Sequence, residues 1–163
     1  MEKIGLGGGC HWCTEAVFQS LKGVDKVAQG WISAFEKPMF SEAVIVHYDE
    51  DRIPLKTLVE IHLHTHSCTS KHAMREKYRS AVYAFGEEQK LVADTIIKDL
   101  QKDFEAPLIT KAYLFGAFNA NTPLYQDYYY KNPDKPFCQT RIAPKLRLLL
   151  DIFEASVDTG KLF

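Results

Sequence analysis

The reading of the fold turns on Lys3–Val24, KIGLGGGCHWCTEAVFQSLKGV. Lys3 to Leu6 has the length and composition of a short strand. Gly7-Gly8-Gly9 then lets the backbone make a tight strand-to-helix turn. Ala16, Val17, Leu21 and Val24 recur as one buried stripe, which predicts a helix from about Cys10 to Leu21, ended by Gly23. The chain therefore starts β-α, with Cys10 and Cys13 bracketing His11 and Trp12 at the junction. Three uses of that pair compete: a redox or nucleophilic site, half of a metal site, and ordinary buried cysteines.

Working outward, Val24–Ser33 reads as a strand. Glu42–Tyr48 reads as another, with Ala43, Ile45 and His47 alternating against Val44, Val46 and Tyr48. Leu55–His66 is predicted helical, Tyr78–Phe85 a strand, and Glu87–Phe104 a long amphipathic helix with Leu91, Ile97 and Leu100 among its buried candidates. A strand over Leu108–Phe118, a short helix over Leu124–Tyr130 and a last helix over Pro144–Phe153 follow, the last with proline in its first turn. The order β-α-β-β-α-β, then α-β-α-α, predicts an α+β fold. It predicts a two-layer sandwich, with a mostly antiparallel sheet on a split βαβ (ferredoxin-like) core. No linker, repeat or low-complexity tract interrupts it, so residues 1–163 are expected to form a single domain.

The 163 residues suffice for one full core, and the net charge of -1 advertises no polyanion. No nucleic-acid partner is expected: the run Tyr128-Tyr129-Tyr130 has no basic stripe beside it, so packing explains it better than base stacking. No apolar stretch approaches the ~20 residues that cross a bilayer, so no membrane contact is expected. The N-terminus carries no secretory pattern, which predicts a cytoplasmic location. The cysteines Cys10, Cys13, Cys68 and Cys138 are too scattered for a disulfide scaffold, and without an export signal C-x-x-C points to redox chemistry or metal binding.

At or near a helix N-terminus, unpaired N–H groups and the positive dipole end favour a thiolate, so Cys10 is the expected nucleophile. Cys13 lies one turn further on, close enough to resolve an oxidised Cys10 by disulfide formation. The metal reading draws on His62, His64, His66, Cys68 and His72. Against it, only His62 and His66 share a helix face, and no second C-x-x-C or zincin pattern is present. A thioredoxin-like arrangement expects a parallel βαβ start, which the strand order does not offer. No metal and no cofactor are therefore expected.

Several motifs together resemble the A-type peptide methionine sulfoxide reductases. The family's G-C-F-W with a following acid stands as Gly9-Cys10-His11-Trp12-Cys13-Thr14-Glu15. Phe18, Leu21, Gly23 and Val24 match F-x-x-L-x-G-V, and Glu42 to Asp49 resembles the family's strand with an acid that ends in Y-D. Leu58 and His66 match the next helix and its terminal His, and Tyr78-Arg79-Ser80-Ala81 matches Y-R-S-A. Gln126, Tyr128 and Asn132-Pro133 match H-Q-x-Y and N-P, with Tyr125 replacing the His, and Cys138 falls where many members keep a resolving cysteine. The chain departs from the pattern at His11, where the family has Phe, and at Gly30-Trp31, where it has Gly-Tyr. It also departs at Phe40, where a loop Tyr is usual, and in the missing Asp before Y-R-S-A.

The resemblance implies thiol-dependent reduction of methionine-S-sulfoxide, peptide-bound or free. In that reaction the Cys10 thiolate attacks sulfur and becomes a sulfenic acid. Glu42, its carboxyl raised by a partly apolar pocket, and Tyr78 are the expected proton donors. Cys13 or Cys138 then forms a disulfide that a thioredoxin-like reductant reopens. Trp12, His11 and Trp31 are expected to line the substrate notch. A monomer is expected. Glu15 is expected to complement the helix dipole, and Cys68 to be a bystander. The competing function is a redox sensor or binding protein on the same fold that does not turn over.

Overall fold

The computed structural model describes residues 1–66, 68–70 and 77–162. The strands are β1 (Glu2–Gly7), β2 (Val24–Ala34), β3 (Ser41–Tyr48), β4 (Ala81–Ala84) and β5 (Lys111–Ala120). The helices are α1 (His11–Gln19), α2 (Leu55–His64), α3 (Glu87–Leu100), α4 (Tyr128–Lys131), α5 (Ala143–Phe153) and α6 (Thr159–Leu162). A π-helical turn, Cys138–Ile142, runs into α5. Among the described residues, no helix is long and apolar enough to cross a membrane.

The strands close into a barrel in the order β1-β3-β2-β5-β4, with β4 paired back to β1. Every pairing is antiparallel except β4 with β5, which is parallel. The expected two-layer sandwich on a ferredoxin-like core is therefore wrong. A strand does form near Leu108–Phe118, but it pairs with β2 on one side and β4 on the other. That insertion removes both open edges, which an uncovered sheet would have to protect by other means.

Strand alternation explains how one short barrel has two apolar faces. Val44, Val46 and Tyr48 of β3 face outward and pack with Ile4, Leu6, Val82 and the buried stripes of α1, α2, α3 and α5. Ala43 and Ile45 face the interior with Ile32, Ala34, Ala81 and Tyr83. The interior admits little bulk: a Cβ on Gly5 would lie 2.8 Å from Cβ of Tyr83. Leu91, expected to be buried on α3, is 68% exposed, whereas Ile97 and Leu100 are buried. The barrel's own interior is filled by strand residues, so α3 buries only a narrow stripe.

Closure makes Gly30 a demanding position. It pairs with Ala43 on β3 and Ala120 on β5. A Cβ there would overlap the Asn119 carbonyl oxygen, a backbone atom that cannot rotate away. Gly30→Ala is expected to destabilise the fold by about 3 kcal/mol or more, since it forces the β2–β5 ladder apart. Chemical denaturation measures this, and a loss below about 1 kcal/mol would mean that the β2–β5 contact is not as tight as described.

Candidate active site

β1 ends, β3 begins and β4 is entered at the same end of the barrel: Gly7 lies opposite both Ala43 and Ala81. The glycine turn after β1 therefore delivers the start of α1 onto this rim. Gly8 has φ +155, and a Cβ there would overlap the His66 ring, so both conformation and space call for glycine. Cys10 is the N-cap of α1, and its carbonyl accepts from the N–H groups of Cys13 (3.1 Å) and Thr14 (3.2 Å).

The α1 N-terminus is capped from another element. The Glu42 carboxylate, on β3, accepts the His11 backbone N–H at 3.2 Å and lies 3.5 Å from His11 Nε2. Glu42 is 6% exposed. Its second oxygen lies 3.6 Å from Lys77 Nζ. The stretch after residue 76 runs beside β3: Glu42 N–H and Ser41 Oγ donate to the Lys77 carbonyl, and Arg79 N–H donates to Ser41 Oγ. This places Tyr78 beside Glu42, with Lys77 Nζ 5.2 Å from the Tyr78 ring centre. The Lys77 ammonium is held above its ordinary pKa by the Tyr78 hydroxyl first and by Glu42 second.

Cys10 and Cys13 form a hydrogen-bonded dithiol that titrates as a pair. The Cys13 thiol is lowered, first by the Cys10 S–H donating to its sulfur, and further by the Lys145 and Arg141 charges. The Cys10 thiol is raised by that same hydrogen bond, then by burial and the Cys13 charge. The helix terminus does not by itself make Cys10 the thiolate, as the sequence suggested. Of the two thiols, Cys13 is the one pushed toward the thiolate. Cys138 is fully buried at the start of the π-turn, and its thiol is raised by burial and by the Cys13 charge. Cys10, Cys13 and Cys138 form no disulfide.

His11 and Trp31 meet edge to face at 5.1 Å, and Trp31 pairs across the ladder with Glu42. Trp12 stacks on Tyr128 at 4.0 Å and meets Phe137 edge-on at 5.4 Å. The tyrosine run is thus packing, as expected. Phe40 is exposed in the β2–β3 connection. The histidines proposed for a metal are engaged in the fold: His62 Nε2 contacts the Gly7 carbonyl at 2.7 Å, and His66 Nε2 contacts Ser80 Oγ at 2.7 Å. Among the described residues, no group of three or more His, Cys, Asp or Glu side chains is arranged to hold a metal. His72 lies outside the described residues.

Sequence reasoning missed Lys77 and gave Glu15 the wrong task. Glu15 is 1% exposed and accepts from Gln29 Nε2 (2.8 Å) and the backbone N–H groups of Asp127 (2.9 Å) and Tyr128 (3.2 Å). It anchors the loop that lays Tyr128 on Trp12, while Glu42 serves the helix dipole instead. Asp127 takes up a left-handed conformation, φ 56, at this anchor. Glu15→Ala leaves two backbone donors without their acceptor and is expected to cost about 3 kcal/mol. Denaturation together with Trp12 fluorescence tests this; an unchanged midpoint would overturn the anchor role.

The peptide methionine sulfoxide reductase family matches residues 2–156. The peptide methionine sulfoxide reductase MsrA of Campylobacter jejuni (strain RM1221) is 34% identical over 160 residues, covering 90% of this chain and 97% of that one. Reduced Mxr1 of Saccharomyces cerevisiae superposes with a TM-score of 0.75 at 19% identity, covering 84% of this chain and 88% of that one. Mxr1 in complex with Trx2 superposes with a TM-score of 0.61 at 19% identity, covering 78% and 84%. Together with the family's motifs on the rim of this barrel, these likenesses place the chain: it belongs to the peptide methionine sulfoxide reductase family.

Proposed function

We propose that this chain reduces methionine sulfoxide in peptides, with Cys10 as the attacking sulfur. The observation that carries the assignment of roles is the place of Cys10 at the N-cap of α1, one turn from Cys13, on the rim that also holds Glu42 and Tyr78. As Cys10 attacks the sulfoxide sulfur, its proton passes to the Cys13 thiolate. Glu42 and Tyr78 face the departing oxygen as acids. The S–O bond breaks, methionine leaves, and Cys10 holds the oxygen as a sulfenic acid. The Cys13 thiol condenses with it, releasing water and closing a disulfide. A thioredoxin-like dithiol reopens that bond by exchange. Its use here is supported by the complex of the related Mxr1 with Trx2. His11, Trp31 and Trp12 border the notch for the substrate methyl group. The reading carries a monomer in the cytoplasm, supported by a site drawn from one chain and by the need for a dithiol reductant.

Cys13 is the first resolving thiol in this scheme, and Cys138, whose thiol feels the Cys13 charge, follows it. Single-turnover reduction by pre-reduced protein tests the order. A peptide bearing methionine-S-sulfoxide, and free methionine sulfoxide beside it, should yield methionine and a mapped Cys10–Cys13 bridge. In Cys13→Ser, methionine is still released while the sulfenic acid persists and can be trapped. A Cys10–Cys138 bridge in the unmutated protein would overturn the assignment to Cys13. No methionine from either substrate would overturn the enzyme reading in favour of a sensor.

A further inference from the structure

The C-terminal part of the chain brings a cation under the glycine turn. The π-turn and α5 pack on α1: Ile142, Leu146 and Leu149 lie in the same buried cluster as Cys13 and Val17. Lys145 stands beside this stripe and is half-buried. A Cβ on Gly9 would lie 3.7 Å from its Nζ, so the ammonium sits against the residue before Cys10. Lys145 also encloses a small cavity together with Gly8, Cys13, Thr14, His62 and His66. Among the described residues, no carboxylate forms an ion pair with this ammonium. A half-buried charge without an opposite partner favours any anion that can form beside it. Cys13, on the wall of the same cavity, can form one.

We propose that Lys145 is the positioning residue of the resolving step: it favours negative charge on the Cys13 sulfur, which speeds closure of the Cys10–Cys13 disulfide at neutral pH and makes Cys13 the sulfur that leaves when a dithiol reopens it. This rests on Cys13 being the resolving thiol. In closure, the Cys13 S–H bond breaks and its sulfur joins Cys10. The S–O bond of the sulfenic acid breaks, and the proton and hydroxide leave as water. In reopening, a thiolate of the external dithiol attacks Cys10, and Cys13 departs with the electron pair beside Lys145. The second thiol of the reductant then displaces Cys10 and leaves the reductant as its disulfide. Exposure agrees with that order: Cys10 is partly exposed and Cys13 is 3% exposed, so an incoming thiolate meets Cys10 first.

The titratable and charged groups facing Cys13 come from every element around it. Cys10 lies on its own helix turn, and Glu42 comes from β3. His62 belongs to α2, and His66 follows that helix. Arg141 and Cys138 belong to the π-turn, and Lys145 to α5. The Lys145 charge lowers the Cys13 thiol more than the Arg141 charge does, and the Glu42 charge raises it. Arg141 is exposed, so solvent screens it more than the half-buried Lys145.

The test follows single turnover of a methionine-S-sulfoxide peptide by the pre-reduced full chain. Methionine release and the decay of the sulfenic acid into disulfide are timed separately, from neutral pH to above the ordinary thiol range. Lys145→Met keeps the length of the side chain and removes its charge, which should raise the Cys13 thiol by about one pH unit. Thiolate then becomes about tenfold scarcer at neutral pH, but each thiolate is about threefold more nucleophilic. Closure should therefore be about threefold slower at neutral pH and about threefold faster where Cys13 is fully ionised in both proteins. The two pH profiles should cross, and Lys145→Arg, which keeps the charge, should follow the unmutated one. Reopening by dithiothreitol should be slower in Lys145→Met, with the mixed disulfide trapped on Cys10. Closure by Lys145→Met that is unchanged, or slowed equally at every pH, would overturn the inference, because lost packing has no pH at which it helps. A mixed disulfide mapped to Cys13 would overturn the leaving role. Should Lys145→Met fold poorly, Lys145→Gln compared with Lys145→Arg reads the same crossing. A Cys10–Cys138 bridge in the unmutated protein is a separate failure, since it removes the resolving role of Cys13 itself.

Discussion

Cys10→Ser should release no methionine from a sulfoxide peptide, in single turnover or with excess dithiol, while unfolding within about 1 kcal/mol of the unmutated protein. Cys10 is partly exposed at the N-cap of α1, and its backbone carbonyl, not its sulfur, accepts the first helical hydrogen bonds. Serine keeps that carbonyl and with it the cap, but its hydroxyl neither attacks sulfur readily nor stores oxygen as a sulfenic acid. The dithiol gives a second readout. Losing Cys10 removes the S–H that stabilises the Cys13 thiolate, the largest cause of its lowered pKa. A lowered pKa means thiolate persists below the ordinary thiol range. Alkylation of Cys13 should therefore require higher pH in Cys10→Ala, which has no side-chain donor, than in the unmutated protein. Methionine release by Cys10→Ser at more than a few per cent of the unmutated rate would transfer the nucleophile to another cysteine.

The rim of the site was more legible in the sequence than the architecture carrying it. Cys10, Glu42 and Tyr78 stand in short motifs, and the structure brings their segments together because β1 ends where β3 and the approach to β4 begin. Periodicity also located the elements: α2 buries one regular stripe, and β3 alternates between the two apolar faces of the barrel. Closure of the barrel left only an indirect trace. Which strands a given strand joins depends on contacts across the chain, and β5 carries no local mark of having two partners. The trace is the glycines inside strands: Gly5, Gly30 and Gly116 each lie where a Cβ would press on a neighbouring strand. Glu15 was misread for a related reason. Its position in the first turns of α1 suggests a dipole role, but two of its three partners, the Asp127 and Tyr128 N–H groups, arrive from more than a hundred positions away. The ionisation of Cys10 was misread because a helix terminus acts on one thiol, whereas here the dominant influence is a second sulfur.

Glu42→Gln should slow single-turnover methionine release by about 100-fold or more at neutral pH, within the range that a general acid contributes. The substitution is conservative in shape. Gln Oε1 can still accept the His11 backbone N–H, so the cap on α1 survives. What is lost is the only carboxyl facing both His11 and Lys77 among the described residues. The amide can donate a hydrogen bond but cannot release a proton to an oxygen whose bond to sulfur is breaking. Stability should change far less than rate, because the lost attraction to Lys77 involves an exposed ammonium and is screened by solvent. Two controls separate acid catalysis from disturbance of the thiols. Alkylation of the dithiol should be as fast or slightly faster, since the Glu42 charge raises both thiols. A sulfoxide activated by prior O-alkylation, which needs no proton on oxygen, should react with Glu42→Gln nearly as fast as with the unmutated protein. If the activated substrate is slowed equally, Glu42 acts by shaping the notch and not by giving a proton. If neither substrate is slowed, Tyr78 beside it is the acid that the reaction uses.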